Sequence, residues 1–383
     1  MIKSLKLSAL CKMQSGGTPS RSNLDYYEGD FPWAKISDLE KSDDGYIYKT
    51  EEHITQDALH SINNRQFQPG TLLLAMYGSV GKTAITKIHL TTNQAILGIN
   101  IIDDTILDIK YLKYWFSTIK ERLLNRAVGA ALPNISLGIV KDLEIPLPTL
   151  PEQQKIANIL DAADALRQND KALIAKYDEL TQALFLDMFG DPVKNNLNLP
   201  FPKIRELSNV SQGMQIAIKE RHKENGPNRY KYLTVAYLNG RKEEEYIESP
   251  RASVICNKDQ ILMIRTGNTG QVVTNVEGVF HNNFFKIDWD KKRLNKNYLV
   301  YFLSNPGIRR DLLKRASTTT IPDLSHGQFY DLNIIVPPLN LQNQFAERVA
   351  VIEEQKTIAQ KSLEKSESLF NSLLQKAFKG ELN

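Results

Sequence analysis

The chain has 383 residues, 42% of them hydrophobic and 24% charged, an ordinary globular composition long enough for two or three domains. Two cysteines, Cys11 and Cys256, exclude a disulfide framework and a cysteine-rich zinc site. No apolar run approaches the roughly 18 residues of a membrane span. A formal net charge of +4, spread evenly, is too weak to argue for nucleic acid or a membrane surface.

In chain order, the first 147 residues read as short apolar runs bounded by turn residues. Thr71-Leu72-Leu73-Leu74-Ala75-Met76 is a strand that ends at Gly78-Ser79-Val80-Gly81, and Tyr111 to Leu124 reads as a helix. Pro148-Thr149-Leu150-Pro151-Glu152 then opens a long helix, with Pro151 near the first turn. It runs to Phe189, where Gly190-Asp191-Pro192 stops it. Gln260 to Ile264 is a second such strand, and Tyr298 to Leu313 a second such helix, interrupted by Pro306-Gly307. A final helix runs from about Leu341 to Phe378 and stops at Gly380. At ~1.5 Å per residue each long helix spans on the order of 55 Å. The class is α+β.

The order repeats because the chain is an internal duplication with an offset of 189 residues. Gly78-Ser79-Val80-Gly81 falls on Gly267-Asn268-Thr269-Gly270, and Asn93 on Asn282. Leu132-Pro133-Asn134-Ile135-Ser136 falls on Ile321-Pro322-Asp323-Leu324-Ser325. Pro148, Gln153, Ala157 and Phe189 fall on Pro337, Gln342, Ala346 and Phe378. A period this long marks a duplicated domain, not a solenoid, and predicts pseudo-two-fold symmetry. The segments are 1–147, a first globular domain; 148–190, a first spacer helix; 191–336, a second globular domain; and 337–383, a second spacer helix.

Both long helices carry an apolar seam in alternating steps of four and three. The first reads Ile156, Leu160, Ala163, Arg167, Asp170, Ile174, Tyr177, Thr181, Leu184, Met188. The second reads Phe345, Val349, Ile352, Lys356, Ala359, Leu363, Ser366, Phe370, Leu373, Ala377. Two-fold related helices pair antiparallel, so an antiparallel coiled coil is expected. The charge divides along the same boundaries. Residues 1–147 carry 16 basic and 16 acidic groups, 148–196 carry 5 and 8, 197–336 carry 21 and 14, and 337–383 carry 6 and 6. The whole positive excess therefore lies in the second globular domain.

Catalytic motifs do not emerge. Gly78 to Thr83 lacks the first glycine of a phosphate-binding P-loop, whose place is taken by Met76, and its copy has Gln271 in place of Lys82. The six histidines have no metal-ligand spacing. No nucleophile elbow and no dinucleotide loop occur.

Both domains end in a related proline- and glutamine-bearing run. The first is Ile145-Pro146-Leu147-Pro148-Thr149-Leu150-Pro151-Glu152-Gln153-Gln154, the second Ile334-Ile335-Val336-Pro337-Pro338-Leu339-Asn340-Leu341-Gln342-Asn343. With the duplication, Ser15-Gly16-Gly17-Thr18-Pro19-Ser20 and the closing Lys376-Ala377-Phe378-Lys379-Gly380-Glu381-Leu382, the chain resembles the specificity subunits of type I restriction–modification systems over essentially its full length. The resemblance implies two mixed α/β target-recognition domains separated by two long helices. It implies a non-catalytic subunit that reads a bipartite, non-palindromic site in double-stranded DNA. It further implies modification subunits, two of them, carrying S-adenosylmethionine and methyl transfer, and restriction subunits carrying ATP- and Mg2+-dependent translocation and cleavage. A cytoplasmic location is expected, with no cofactor, metal or membrane contact for this chain. A coiled-coil adaptor with two protein-binding domains is the competing reading.

Candidate DNA contacts cluster at the two glycine loops: Gly78, Ser79, Gly81, Lys82 and Thr83 in the first, Arg265, Thr266, Asn268 and Gln271 in the second. Glycines admit backbone close to phosphate, and Lys82 or Arg265 has the chemistry to meet phosphate or guanine. A plain hairpin turn explains the same pattern. Arg265 is favoured, since a charge at the end of an apolar strand needs a partner. Lys35, Arg126, Arg229, Lys231, Lys314 and Arg315 are further candidates, with Thr319 in a small-residue loop that matches Val128 to Ala131. Partner docking is assigned to the helices through Gln153, Ile156, Leu160, Leu184, Gln342, Phe345, Val349, Leu363 and Phe370.

Overall fold

The computed structural model describes residues 3–127, 133–316 and 321–382. Twelve α-helices are present among them: α1 (Leu7–Leu10), α2 (Ile36–Glu40), α3 (Gln56–Ser61), α4 (Ile109–Thr118), α5 (Lys120–Asn125), α6 (Leu137–Lys141), α7 (Leu150–Phe189), α8 (Val235–Leu238), α9 (Lys296–Ser304), α10 (Pro306–Arg315), α11 (His326–Tyr330) and α12 (Leu339–Lys379). The chain divides into two compact units, residues 1–174 with 358–383, and residues 175–357. The division falls inside both long helices, so each unit holds one globular region and a segment of α7 and of α12.

In the first unit a five-stranded sheet has the order Cys11–Ser15, Ile96–Ile101, Leu72–Ala75, Thr83–Thr86, Tyr46–Ile47. All neighbours are antiparallel except the last pair. Alternate residues of its central strand serve opposite faces. Leu72 and Leu74 pack with Leu97, Ile99 and the α4 aromatics Tyr111, Trp115 and Phe116. Leu73 and Ala75 pack with Phe67, Leu39 and Ile96. A strand buried on both faces is a continuous apolar run, which is why residues 71–76 carry no alternation. A three-stranded sheet (Glu52–Ile54, Phe31–Ala34, Thr91–Thr92) and a two-stranded one (Lys3–Lys6, Glu144–Leu147) complete the region.

The second unit repeats this plan. Ser208–Gln212, Phe284–Trp289, Ile261–Ile264 and Val272–Val273 form its main sheet in the same strand order. Tyr246–Glu248, Arg229–Leu233, Gly278–Phe280 and Ile255–Cys256 form the second sheet. Met263 and Phe285 face α9 and the long helices through Tyr298, Phe302, Phe185, Phe189 and Phe345.

The helices expected over Tyr111 to Leu124 and Tyr298 to Leu313 are each two helices. Ile119 (φ −103, ψ 8) separates α4 from α5. Asn305 caps α10, whose first residue is Pro306, and so ends α9.

A buried glutamine fastens each long helix to its globular region. Gln153 is fully buried; its Nε2 donates to the carbonyls of Ile106 (2.9 Å) and Pro148 (3.0 Å), and its Oε1 accepts from the Asp108 amide (2.9 Å). Gln342 makes the same three bonds, to Arg293 O (2.9 Å), Pro337 O (2.8 Å) and from Asn295 N (2.8 Å). Asp108 and Asn295 in turn cap α4 and α9. Asp108 and Asn295 are 187 residues apart whereas the two glutamines are 189 apart, so the copies differ by small shifts between a shared set of anchors.

Every seam position of both long helices is buried or half-buried. In the first unit, as α7 rises from Arg167 to Asp170, its contacts on α12 fall from Phe370 to Ser366. The Arg167 guanidinium lies 4.4 Å from the Phe370 ring centre, and Ser366 Oγ donates to Asp170 (2.8 Å). The pairing is therefore antiparallel, and the polar seam residues find partners across it. In the second unit Lys356 does the same with Asp178.

Candidate nucleic-acid interface

The glycine loops are tight turns held from below. Gly78 and Gly81 have φ of 72° and 84°, Gly267 and Gly270 of 95° and 80°, a left-handed region that glycine enters without cost. A side chain at Gly81 would meet Lys120 at 3.1 Å, and one at Gly270 would meet Arg309 at 3.2 Å, so each turn sits directly on α5 or α10. From the other side a second conserved pattern of the duplication closes on the loop. Gly78 N donates to Pro133 O (3.1 Å) and Ile135 N to Met76 O (2.9 Å). In the second unit Leu324 N donates to Arg265 O (2.9 Å) and Thr269 Oγ1 to Pro322 O (2.7 Å). The Gly-x-x-Gly and Pro-Asn/Asp patterns, more than 50 residues apart, are thus the two halves of one clamp.

Clamp and helix bring cations together beside a compact, glycine-bearing edge. In the first unit α5 and the residue after it carry Lys120, Arg122 and Arg126, all exposed. In the second α10 carries Arg309, Arg310, Lys314 and Arg315. Arg309 is half-buried and binds the loop through Asn268 and Thr269 O. Arg310 and Lys314 are exposed and lie in no ion pair among the described residues. Backbone amides in a turn next to exposed cations suit anionic oxygen on a duplex. Sequence reasoning missed Lys120, Arg122, Arg309 and Arg310. The signal was available, since Lys120 and Arg309, like Arg126 and Arg315, keep a cation across the 189-residue offset.

The other predicted contacts are placed differently. Arg265 is not a free cation: its side chain binds Asp323 (2.6 Å) and the carbonyl of Leu324 (3.2 Å), and the guanidinium lies 5.4 Å from the Phe285 ring centre. The charge at the strand end has its partner inside the unit, so the geometry gives it a clamping role. Thr266 joins the same aspartate. Lys35 pairs with Glu52, Arg229 with Glu248, Lys231 with Glu244 and Arg315 with Asp311. Lys231, Tyr246 and Tyr237 together push the Glu244 carboxyl down to about 2. Lys82 is half-buried and donates to Ser42 O (3.2 Å); burial pulls it below the ordinary lysine value. Thr83 is buried, Ser79 bonds Glu40, and Asn268 bonds Gln271. Thr319 and the Val128 to Ala131 loop lie outside the described residues.

We expect Arg265→Ala to cost the second unit about 1–2 kcal/mol, less than a fully buried pair because Asp323 stays partly solvated, while leaving the base preference intact. Denaturant unfolding and motif analysis of the variant check this; altered preference at unchanged stability would refute it.

The helix residues assigned to partner docking face inward. Ile156, Leu160 and Phe370 belong to the first unit's core, Phe345 and Val349 to the second's, while Leu184 and Leu363 are half-buried. Seam positions are consumed by the internal pair. Leu166, Leu173 and Leu180 of α7 are exposed at seven-residue spacing, as are Val351 and Ile358 of α12.

Among the described residues no helix is long and apolar enough to cross a membrane. The chain resembles the type I restriction enzyme MjaIX specificity subunit of Methanocaldococcus jannaschii, at 27% identity over 98% of this chain and 92% of that protein. It also resembles the StySPI specificity subunit of Salmonella potsdam, at 21% identity over 83% and 76%. In fold it is similar to a type I restriction–modification S subunit from M. genitalium, with a TM-score of 0.58 and 18% identity over 99% and 96% of the two chains. The sequence matches the family described as type I restriction modification DNA specificity domain twice, over residues 2–176 and 200–367. Two copies of one domain, each with its own clamp, basic helix and long-helix anchor, make this chain a member of the type I restriction–modification DNA-specificity family, carrying the sequence specificity of such a system.

Proposed function

We propose that each globular region reads one half of a bipartite, non-palindromic DNA site through its glycine loop and the basic helix beneath it. One observation carries this reading: the same clamp occurs twice with different side chains on it. Ser79, Lys82 and Glu121 stand where the second copy has Asn268, Gln271 and Arg310. An identical support under divergent side chains suits two readers of two different sequences.

The chain serves as the non-catalytic part of its complex. Two modification subunits dock on the outward apolar positions of the long helices and carry S-adenosylmethionine. Restriction subunits supply the ATP- and Mg2+-dependent steps, in the cytoplasm. Methylome sequencing of cells with and without the gene tests the proposal. The expected result is one two-part asymmetric motif that disappears with the gene. Methylation unchanged by the deletion would overturn it and favour the adaptor reading.

A further inference from the structure

The first unit contains a cleft of about 450 Å³ between its globular region and its long-helix segments. Residues 42–45 and 81–83 form one wall, α4 another, and Asp164, Arg167 and Phe370 the floor. Four cations line it, Lys82, Lys113, Lys120 and Arg167, against three carboxylates, Asp43, Asp44 and Asp164.

Lys113 is the unusual member. It is only 6% exposed. Its ammonium lies against aromatic faces, 4.5 Å from the Tyr114 ring centre and 5.0 Å from that of Tyr46, and a side chain at Gly45 would meet it at 3.2 Å. It has no ion pair among the described residues. Asp161 binds Lys110 (2.7 Å) and Tyr114 (2.6 Å); Asp164 binds Arg167. Asp44 accepts from the Tyr46 amide (2.9 Å), and Asp43 is exposed. A lysine is almost never buried without a partner, because desolvating its charge is costly. The fold does not require it: counting from the helix caps Asp108 and Asn295, the second copy has Val300 at this place and Gln271 at Lys82. The first copy therefore carries one buried and one half-buried cation that the second copy does without, both lining the cleft.

We propose that this cleft binds a phosphate group, its oxygens held by Lys82, Lys113, Lys120 and the Nη1 of Arg167 left free by Asp164. The phosphate is that of a free anion or of the DNA backbone; the chemistry is shared and the sources are separable. The inference does not depend on DNA reading, since a chain that directs no methylation can still bind orthophosphate.

The test titrates the full-length chain with orthophosphate in chloride buffer at constant ionic strength, followed by calorimetry and 31P NMR. Saturable binding is expected, with a melting temperature raised by a few degrees at about 100-fold excess over Kd. Lys82→Gln and Lys113→Met should each bind at least about tenfold more weakly, the loss of one charge-assisted contact. Lys113→Met should also be no less stable than the parent in chloride, because methionine removes a buried charge. No saturable binding by the parent chain, or undiminished binding by the variants, overturns the proposal. If Lys113→Met does not fold, Lys82→Gln alone decides. A DNA duplex that displaces the bound orthophosphate assigns the site to backbone phosphate. A duplex that binds alongside it assigns the site to a free anion.

Discussion

Phe345→Ala should destabilise the second unit by about 3–5 kcal/mol. Phe345 is fully buried where α12 meets the globular region, with its ring centre 5.6 Å from Phe185, 5.2 Å from Phe189 and 5.5 Å from Tyr301. Removing one ring from a four-ring contact leaves a cavity that rigid neighbours cannot refill. The first unit has Ile156 at this position, 9% exposed, so Ile156→Ala should cost less, about 2–4 kcal/mol. Hydrogen exchange resolved by segment distinguishes the two, because each variant should lower protection in its own unit. A loss below about 1 kcal/mol for Phe345→Ala would refute a tightly packed ring cluster at this junction.

The second large effect concerns DNA affinity. Replacing the exposed Arg310 and Lys314 of α10 by glutamine should lower the salt slope of binding by about 1.8, two phosphate contacts at ~0.9 each. At physiological salt this corresponds to a loss on the order of 30-fold. Replacing Arg122 and Arg126 in the first unit should have a similar effect, because the same helix sits under the same clamp. Binding of the assembled complex measured across a salt series checks both. An unchanged slope would remove these helices from the interface.

The two pairs also test a charge argument made from the sequence. From its excess of seven positive charges, the second domain is expected to contribute more of any salt-sensitive binding. In the structure part of that excess sits elsewhere. Lys291, Lys292 and Arg293 occupy the turn after the strand Phe284–Trp289, whereas the glycine loop adjoins that strand's beginning through the Arg265 N to Asn283 O bond. A six-residue strand is about 20 Å long, so these cations lie well away from the clamp. Net charge per domain does not measure charge at the interface.

Much of the architecture was legible in the sequence for a local reason. A heptad seam states which side of a helix is apolar, and every residue of both seams is accordingly buried or half-buried. The duplication likewise marked Gln153 and Gln342, Gly78 and Gly267, and the Pro133 and Pro322 motifs as equivalent, and each pair occupies equivalent positions in its unit. The sequence also identified the resemblance that the family match shows.

Partnerships were not legible. Arg265 looked like an unpaired charge until the chain brought Asp323 to it from 58 residues away. Lys35, Arg229 and Lys231 each meet a carboxylate on a neighbouring segment. Lys113 lies on a helix of ordinary composition, and only packing shows that it is buried against two tyrosines. The sequence by itself determined the duplication, the two long helices and their inward faces, because periodicity is a property of neighbouring residues. Only the tertiary structure decided which charges are neutralised and which remain available, because an electrostatic partner is set by distance in space between segments the chain order leaves far apart.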